Sequence, residues 1–205
     1  MPGPGFFARL GLFVIRDFFS PDVCAKLREE ASLTAQRPTM VINITDGDRV
    51  DEQVRKSHKA KVARETELLV LERLMKIKSE VEKHFDVQLS SCEKPQFLVY
   101  REGDFFAAHL DSNDDPRAVE YMRERKISVV IFLNDSSDKA VPDSFSGGSL
   151  VFYELIDAPD WKKYAFPLDG EAGLLIAFPS KIFHEVTPVT CGERFTVVSW
   201  FSEAR

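Results

Sequence analysis

No strand–helix alternation follows Pro95. The chain from there on runs as short apolar segments: "QFLVY", "KISVVIFLN", "GSLVFYE", "GLLIAFPS", "HEVTPV" and "RFTVVSWF". Each is rich in β-branched and aromatic residues, and Gly, Pro, Asn and Asp punctuate them. Parallel strands need a long crossover connection, usually a helix, so a doubly wound sheet is disfavoured. Many short strands in succession fit a sandwich or jelly roll, two sheets with a cavity between them.

The first 94 residues have a different texture. "GLFVIRDFFSPDVCAKLREEASL" reads as a strand followed by a helix, with Ser20 as N-cap, Pro21 as first helical residue, and Val23, Leu27 and Ala31 on one face. Residues 36–60 are polar and irregular and read as a loop crossing the surface. Residues 65–85 form the longest helix candidate, striped by Leu68, Leu71, Met75 and Val81. The expected fold is therefore mainly β (α+β): a double-stranded β-helix, or jelly roll, braced by N-terminal helices. We expect a single domain over 1–205, with 1–94 as strand and supporting helices and 95–205 as the jelly-roll core. Two polar insertions, 112–126 and 134–146, are candidate lids.

Charge and cysteines narrow the function. The 27 basic and 33 acidic residues leave a net charge of -6, which argues against a general nucleic-acid binder, although "VRKSHKAK" is locally basic. Three widely spaced cysteines without a CxxC pair indicate neither a disulfide framework nor a zinc knuckle, and reduced thiols in the cytoplasm are expected. The apolar start, "MPGPGFFARLGLFVIRDFF", is broken by Arg9 and Arg16 and lacks a basic leader with a small-residue cleavage site. It reads as folded structure, and no membrane association is expected.

"YREGDFFAAHLD" places His109 and Asp111 two positions apart, on one face if the segment is a strand. Alone, that spacing is ordinary. His184 then opens a later strand, straight after the apolar "LLIAFPSKIF", where a polar residue can point into a cavity. Two imidazoles and one carboxylate make the facial triad of non-haem Fe(II) oxygenases, with three positions open for a two-oxygen 2-oxo acid and O2. A closed zinc site needs a fourth ligand, and none is evident. Arg194 follows His184 across the turn "TCGE", so their strands are expected to be antiparallel neighbours. Its guanidinium suits a distal carboxylate gripped by two parallel hydrogen bonds, with Tyr100 as a second donor.

From about residue 95 to 202 the chain resembles the prolyl-4-hydroxylase-like 2-oxoglutarate/Fe(II) dioxygenases. The likeness is carried by "YREGDFFAAHLD", "ISVVIFLND", "FSGGSLVFY" and "GLLIAFPSKIFHEVTPVTCGERFTVVSW", in that order. The resemblance implies His109, Asp111 and His184 as iron ligands, Arg194 as the 2-oxoglutarate anchor and Tyr100 as a second anchor. It departs from several animal-type members at Phe132, where they carry a tyrosine that contacts the cosubstrate.

The implied activity is hydroxylation of a C–H bond coupled to conversion of 2-oxoglutarate and O2 to succinate and CO2, with ascorbate as a candidate reductant. A peptidyl or amino-acid substrate is favoured, and a small natural product is the alternative within the family. A nucleic-acid demethylase is disfavoured by Trp200, where that group has a second arginine. A jelly-roll binding or sensor module without turnover is the reading from another class. Phe105, Phe106, Phe132 and Phe183 suit a dry wall or plain core. His58 reads as solvent-facing, His84 as a helix C-terminal dipole partner, and "DSNDD" as a solvated loop.

Overall fold

The computed structural model of the chain describes residues 3–40, 50–115, 118–139, 141–155 and 164–203. A short helix α1 (Pro4–Arg9) and strand β1 (Phe13–Ile15) lead into helix α2 (Pro21–Leu33). Three brief strands follow, β2 (Gln36–Pro38), β3 (Arg55–Lys56) and β4 (His58–Ala60), then the long helix α3 (Arg64–Phe85). The strands β5 (Leu89–Cys92), β6 (Gln96–Tyr100) and β7 (Phe105–His109) precede a single turn-and-a-half of helix, α4 (Glu120–Glu124). Beyond it lie β8 (Arg125–Phe132), β9 (Phe145–Gly147), β10 (Leu150–Phe152) and β11 (Phe166–Leu168). The chain closes with β12 (Leu175–Pro179), β13 (His184–Val186), β14 (Val189–Gly192) and β15 (Arg194–Glu203).

These strands form two main sheets. The larger has the order β1-β12-β8-β15-β6-β4-β2, with β5 added beside β15, and the smaller is β11-β10-β13-β7-β3. All the pairings in both are antiparallel. The jelly-roll expectation holds.

Strand β8 explains why its sequence reads as a continuous apolar run. Val129 and Ile131 join a core beneath α2 and α3, with Leu27, Val70, Leu74, Val99 and Val197. Val130 and Phe132 point the other way, into the core between the sheets, with Leu98, Ile176, Phe178, Phe152 and Leu150. Both faces are covered, so alternation disappears. Each such side chain contributes about 1.5–3 kcal/mol by leaving water, which makes a polar residue in the series conspicuous. Ser128, on the inner face, is that residue, and it is buried.

Helix α2 starts as expected, with the Ser20 hydroxyl accepting from Val23 N and Cys24, Leu27 and Ala31 buried. Two local expectations fail. The buried face of α3 is Val70, Leu74 and Val81, while Leu68 and Met75 are exposed. Apolar residues occur around more than one side of this helix, so its period alone does not say which side faces the sheet. The polar segment 36–60 is also not all loop. β2 and β4 extend the large sheet from β6, and β3 extends the small sheet from β7. Backbone hydrogen bonds at a sheet edge need no apolar alternation, so these strands left no hydrophobic signature. Of the described helices, none is long and apolar enough to cross a membrane.

Candidate metal centre

His109 and His184 face each other across the β7–β13 pair, as direct register partners. Their ring centres are 4.2 Å apart. A register shift between His184 and Val186 lets Phe106, opposite Val186, lie flat against His109 with ring centres 3.5 Å apart. Asp111 completes the group, and one ligand atom from each of the three lies within 4.8 Å of the others. Asp111 is not in a strand. β7 ends at His109, and Asp111 N and Ser112 N both donate to the Ser180 carbonyl, which turns the chain out of the ladder.

Both imidazoles are oriented in the same way. His109 Nδ1 lies 2.8 Å from Ala107 O and His184 Nδ1 lies 2.9 Å from Ile182 O. A carbonyl only accepts, so each Nδ1 carries the hydrogen and each Nε2 presents a lone pair when the ring is neutral. Burial pushes the His184 imidazole down to about 4, so it is neutral at physiological pH. Burial works against the Asp111 carboxylate, but positive charge on the His184 imidazole when it is protonated, the His109 imidazole and the Ser128 hydroxyl outweigh it and hold the carboxyl below its usual range. Two neutral imidazole nitrogens and an ionised carboxylate suit a ferrous ion and leave part of its coordination sphere open.

Arg194 is 1% exposed, at the start of β15. Its Nη1 donates to Thr196 Oγ1, its Nε has no partner, and among the described residues no carboxylate forms an ion pair with it. The guanidinium lies 5.1 Å from the Tyr100 ring centre and 4.9 Å from that of Phe132. Burial pulls it down to about 10, so it stays cationic at neutral pH. A buried cation without an anion is costly, and a carboxylate of 2-oxoglutarate is an anion of the right shape to accept from it. The donor set and this orphaned cation both fit the iron and keto-acid pair.

The sequence of residues 95–202 matches the sequence model of the 2OG-Fe(II) oxygenase superfamily, a span of more than half the chain. The chain belongs to that superfamily. PKHD-type hydroxylases of Shewanella sp. (strain ANA-3) and Teredinibacter turnerae are each 33% identical to it over 106 residues, covering 52% of this chain and 41% of theirs. The chain thus aligns with well under half the length of these curated relatives. Its fold resembles a prolyl-4-hydroxylase of Pseudomonas putida, with TM-score 0.69 and 21% identity over 95% of this chain and 93% of that one. A Trichoplax adhaerens prolyl hydroxylase, solved with a hypoxia inducible factor peptide fragment, superimposes with TM-score 0.65 at 17% identity, covering 94% and 84%.

Several expectations need correction. The strands of His184 and Arg194 are not neighbours: β13 lies in the small sheet and β15 in the large one. Between them β14 pairs with β9, and Gly192, at φ +75°, turns the chain across to the other sheet. His58 is not solvent-facing, because its Nδ1 lies 3.3 Å from the buried Asp104 carboxylate. His84 packs edge-on to Phe13 and Phe85, and burial lowers its pKa, which opposes a role as a charged dipole partner. Phe106 and Phe132 do line the site, but so do Phe178 and Phe152, whose rings lie 4.8 and 6.4 Å from His184.

Of the two insertions, 112–126 adjoins the triad. Its Asn113 N donates to Met122 O, and its Asp114 pairs with Lys181. Segment 134–146 is tied instead to α2 by Arg28 and Asp143, where cavities of ≈ 500 and ≈ 540 Å³ open without any triad residue in their walls.

Proposed function

We propose that the chain is a prolyl-4-hydroxylase-like, 2-oxoglutarate- and iron(II)-dependent hydroxylase acting on a C–H bond of a peptidyl or amino-acid substrate. The observation that carries this reading is the buried Arg194, without a carboxylate partner among the described residues, beside Tyr100 and Phe132 of the inter-sheet core whose Phe152 and Phe178 flank His184 of the two-histidine, one-carboxylate cluster. The substrate class is supported by the hydroxylase names of the relatives and by the peptide in the Trichoplax structure. The whole chain acts as one unit in this reading, with 1–94 bracing 95–205. Free thiols at Cys24, Cys92 and Cys191 support a reducing, cytoplasmic setting.

His109, His184 and Asp111 would hold the iron, which when bound supplies the redox chemistry that couples 2-oxoglutarate decarboxylation and O2 to C–H hydroxylation. His109 and His184 act through Nε2, because their Nδ1 hydrogens are committed to backbone carbonyls. Arg194 binds the distal carboxylate of 2-oxoglutarate through two parallel donors, with Tyr100 beside it as a second donor. Phe106, Phe152 and Phe178 keep water from the histidine rings, which protects the site from unproductive oxidation.

The test is succinate release from 2-oxoglutarate with Fe(II) under air, read against proline-containing peptides and free amino acids. Substrate-stimulated succinate in the wild type, absent in Asp111→Ala, is expected. Succinate no higher than in that variant, with every peptide and amino acid tried, overturns the proposal.

A further inference from the structure

Ser128 is the polar exception on the inner face of β8, and its Oγ lies 2.7 Å from Asp111 Oδ2 and 2.9 Å from Ser180 Oγ. Both serines are buried, at 1% and 0% exposure. A hydroxyl has one hydrogen, and an ionised carboxylate can only accept. Both contacts have Ser128 as the donor, and its one hydrogen favours the shorter contact to the charged Asp111 oxygen, with Ser180 Oγ as the adjoining polar contact. The result is a buried cluster of three oxygens, Ser180 Oγ, Ser128 Oγ and Asp111 Oδ2, centred on Ser128.

The same residues hold the backbone of Asp111. The Ser180 carbonyl accepts from Asp111 N at 3.0 Å and Ser112 N at 3.1 Å, and Arg125 Nη1 donates to Asp111 O at 3.3 Å. Arg125 is itself clamped by both Glu93 carboxylate oxygens, at 2.6 and 2.8 Å, and stacks 3.6 Å from the Trp200 ring centre. Asp111 follows β7 of the small sheet, whereas Ser128, Ser180 and Arg125 lie in or directly after strands of the large one. The carboxylate is thus pinned across the gap between the sheets.

We propose that Ser128, oriented by Ser180, is a positioning residue that reserves Asp111 Oδ2 and makes the carboxylate a one-oxygen ligand. This rests on the iron-site reading above. The consequence concerns coordination number. Three protein donor atoms leave three positions of an octahedral ion for a two-oxygen keto acid and O2. A carboxylate bound through both oxygens closes one of them, and both are within reach, since Oδ2 lies 3.5 Å from His184 Nε2 and Oδ1 3.7 Å from His109 Nε2. Hydrogen-bonding partners of metal ligands typically carry 10–100-fold in metal affinity or activity.

The experiment is anaerobic titration of the purified full chain with Co(II) and then 2-oxoglutarate, followed by visible absorption. Co(II) intensity reports coordination number without turnover. Ser128→Ala is expected to weaken Co(II) binding about 10-fold, alter the Co(II) spectrum and weaken 2-oxoglutarate binding to the Co(II) form. Ser128→Thr, which keeps the hydroxyl, restores all three, and Ser180→Ala falls between. Metal-free melting curves show whether each variant is folded, and Ser180→Ala carries the same test if Ser128→Ala is not. Folded variants that match the wild type in affinity and spectrum overturn the role of Ser128 and leave the iron site standing. A wild type that binds no Co(II) overturns both.

Discussion

Tyr100 and Arg194 stand directly opposite each other across the β6–β15 pair, both on the inner face and both buried. In the proposed reading, a phenol and a guanidinium held together by strand register would form a preorganised anion site, because neither has to be gathered from a mobile loop when a carboxylate arrives. Arg194→Lys keeps the charge and loses the two-donor fork. We expect its 2-oxoglutarate requirement to rise at least about 10-fold, since a charge-assisted hydrogen bond is worth about 1.5–3 kcal/mol. Iron affinity changes far less, and Tyr100→Phe shows a smaller effect of the same kind. Equal losses of metal and 2-oxoglutarate binding, by calorimetry, contradict the anchor role.

Asp111→Ala removes the carboxylate from the triad and leaves Ser128 bonded to Ser180. The metal-free variant is expected to melt within a few degrees of the wild type, while saturating metal raises the melting temperature of the wild type alone. Metal-dependent stabilisation of Asp111→Ala equal to that of the wild type contradicts its role as a ligand.

Gly148 sits at φ +59°, and a Cβ there meets Val189 Cγ2 at 2.9 Å and Arg194 Cδ at 3.0 Å. The second glycine of "SGGS" is therefore what lets the Arg194 side chain lie where it does. Gly148→Ala is expected to cost about 1–3 kcal/mol from backbone strain and to weaken 2-oxoglutarate binding by shifting Arg194. Gly5→Ala, whose added Cβ meets open space, is the control. Denaturant melts and 2-oxoglutarate titration read both effects, and a Gly148→Ala protein unchanged in both refutes the close-approach argument.

Burial pushes the thiols of Cys24 and Cys92 up to about 11, whereas Cys191 is exposed on β14. The thiolate is the reactive form, so a raised pKa keeps Cys24 and Cys92 protonated and slow at pH 8. One thiol is expected to react rapidly with a disulfide reagent in the native protein, and the other two only after unfolding. Mass spectrometry that finds Cys24 or Cys92 labelled first overturns this ordering.

The triad was legible because its chemistry is written in residue types and spacing: a histidine and an aspartate beside an aromatic strand, then a second histidine after an apolar run. The strand partners were not. "TCGE" looks like a hairpin turn, yet Gly192 and β14 carry the chain from one sheet to the other, and only the packed sandwich shows which strand each residue joins. The polar strands β2, β3 and β4 were hidden for a related reason, since their hydrogen bonds go to distant partners and their side chains show no alternation. Ser128 carried a faint signal. It lies at two-residue steps from Phe132 and Val130, but a serine in such a row is equally compatible with a turn toward solvent.

Local physics settled what each segment is. Apolar runs become strands buried on both faces, Ser20 and Pro21 start a helix, and imidazoles with a carboxylate suit a metal of intermediate hardness. Tertiary structure settled what the segments do together. It made His109 and His184 cross-strand partners, aimed Ser128 at Asp111, and left Arg194 buried without a carboxylate partner among the described residues. Those relationships link residues far apart in the chain, and their energies depend on burial and orientation, which arise only when two sheets close over one interior.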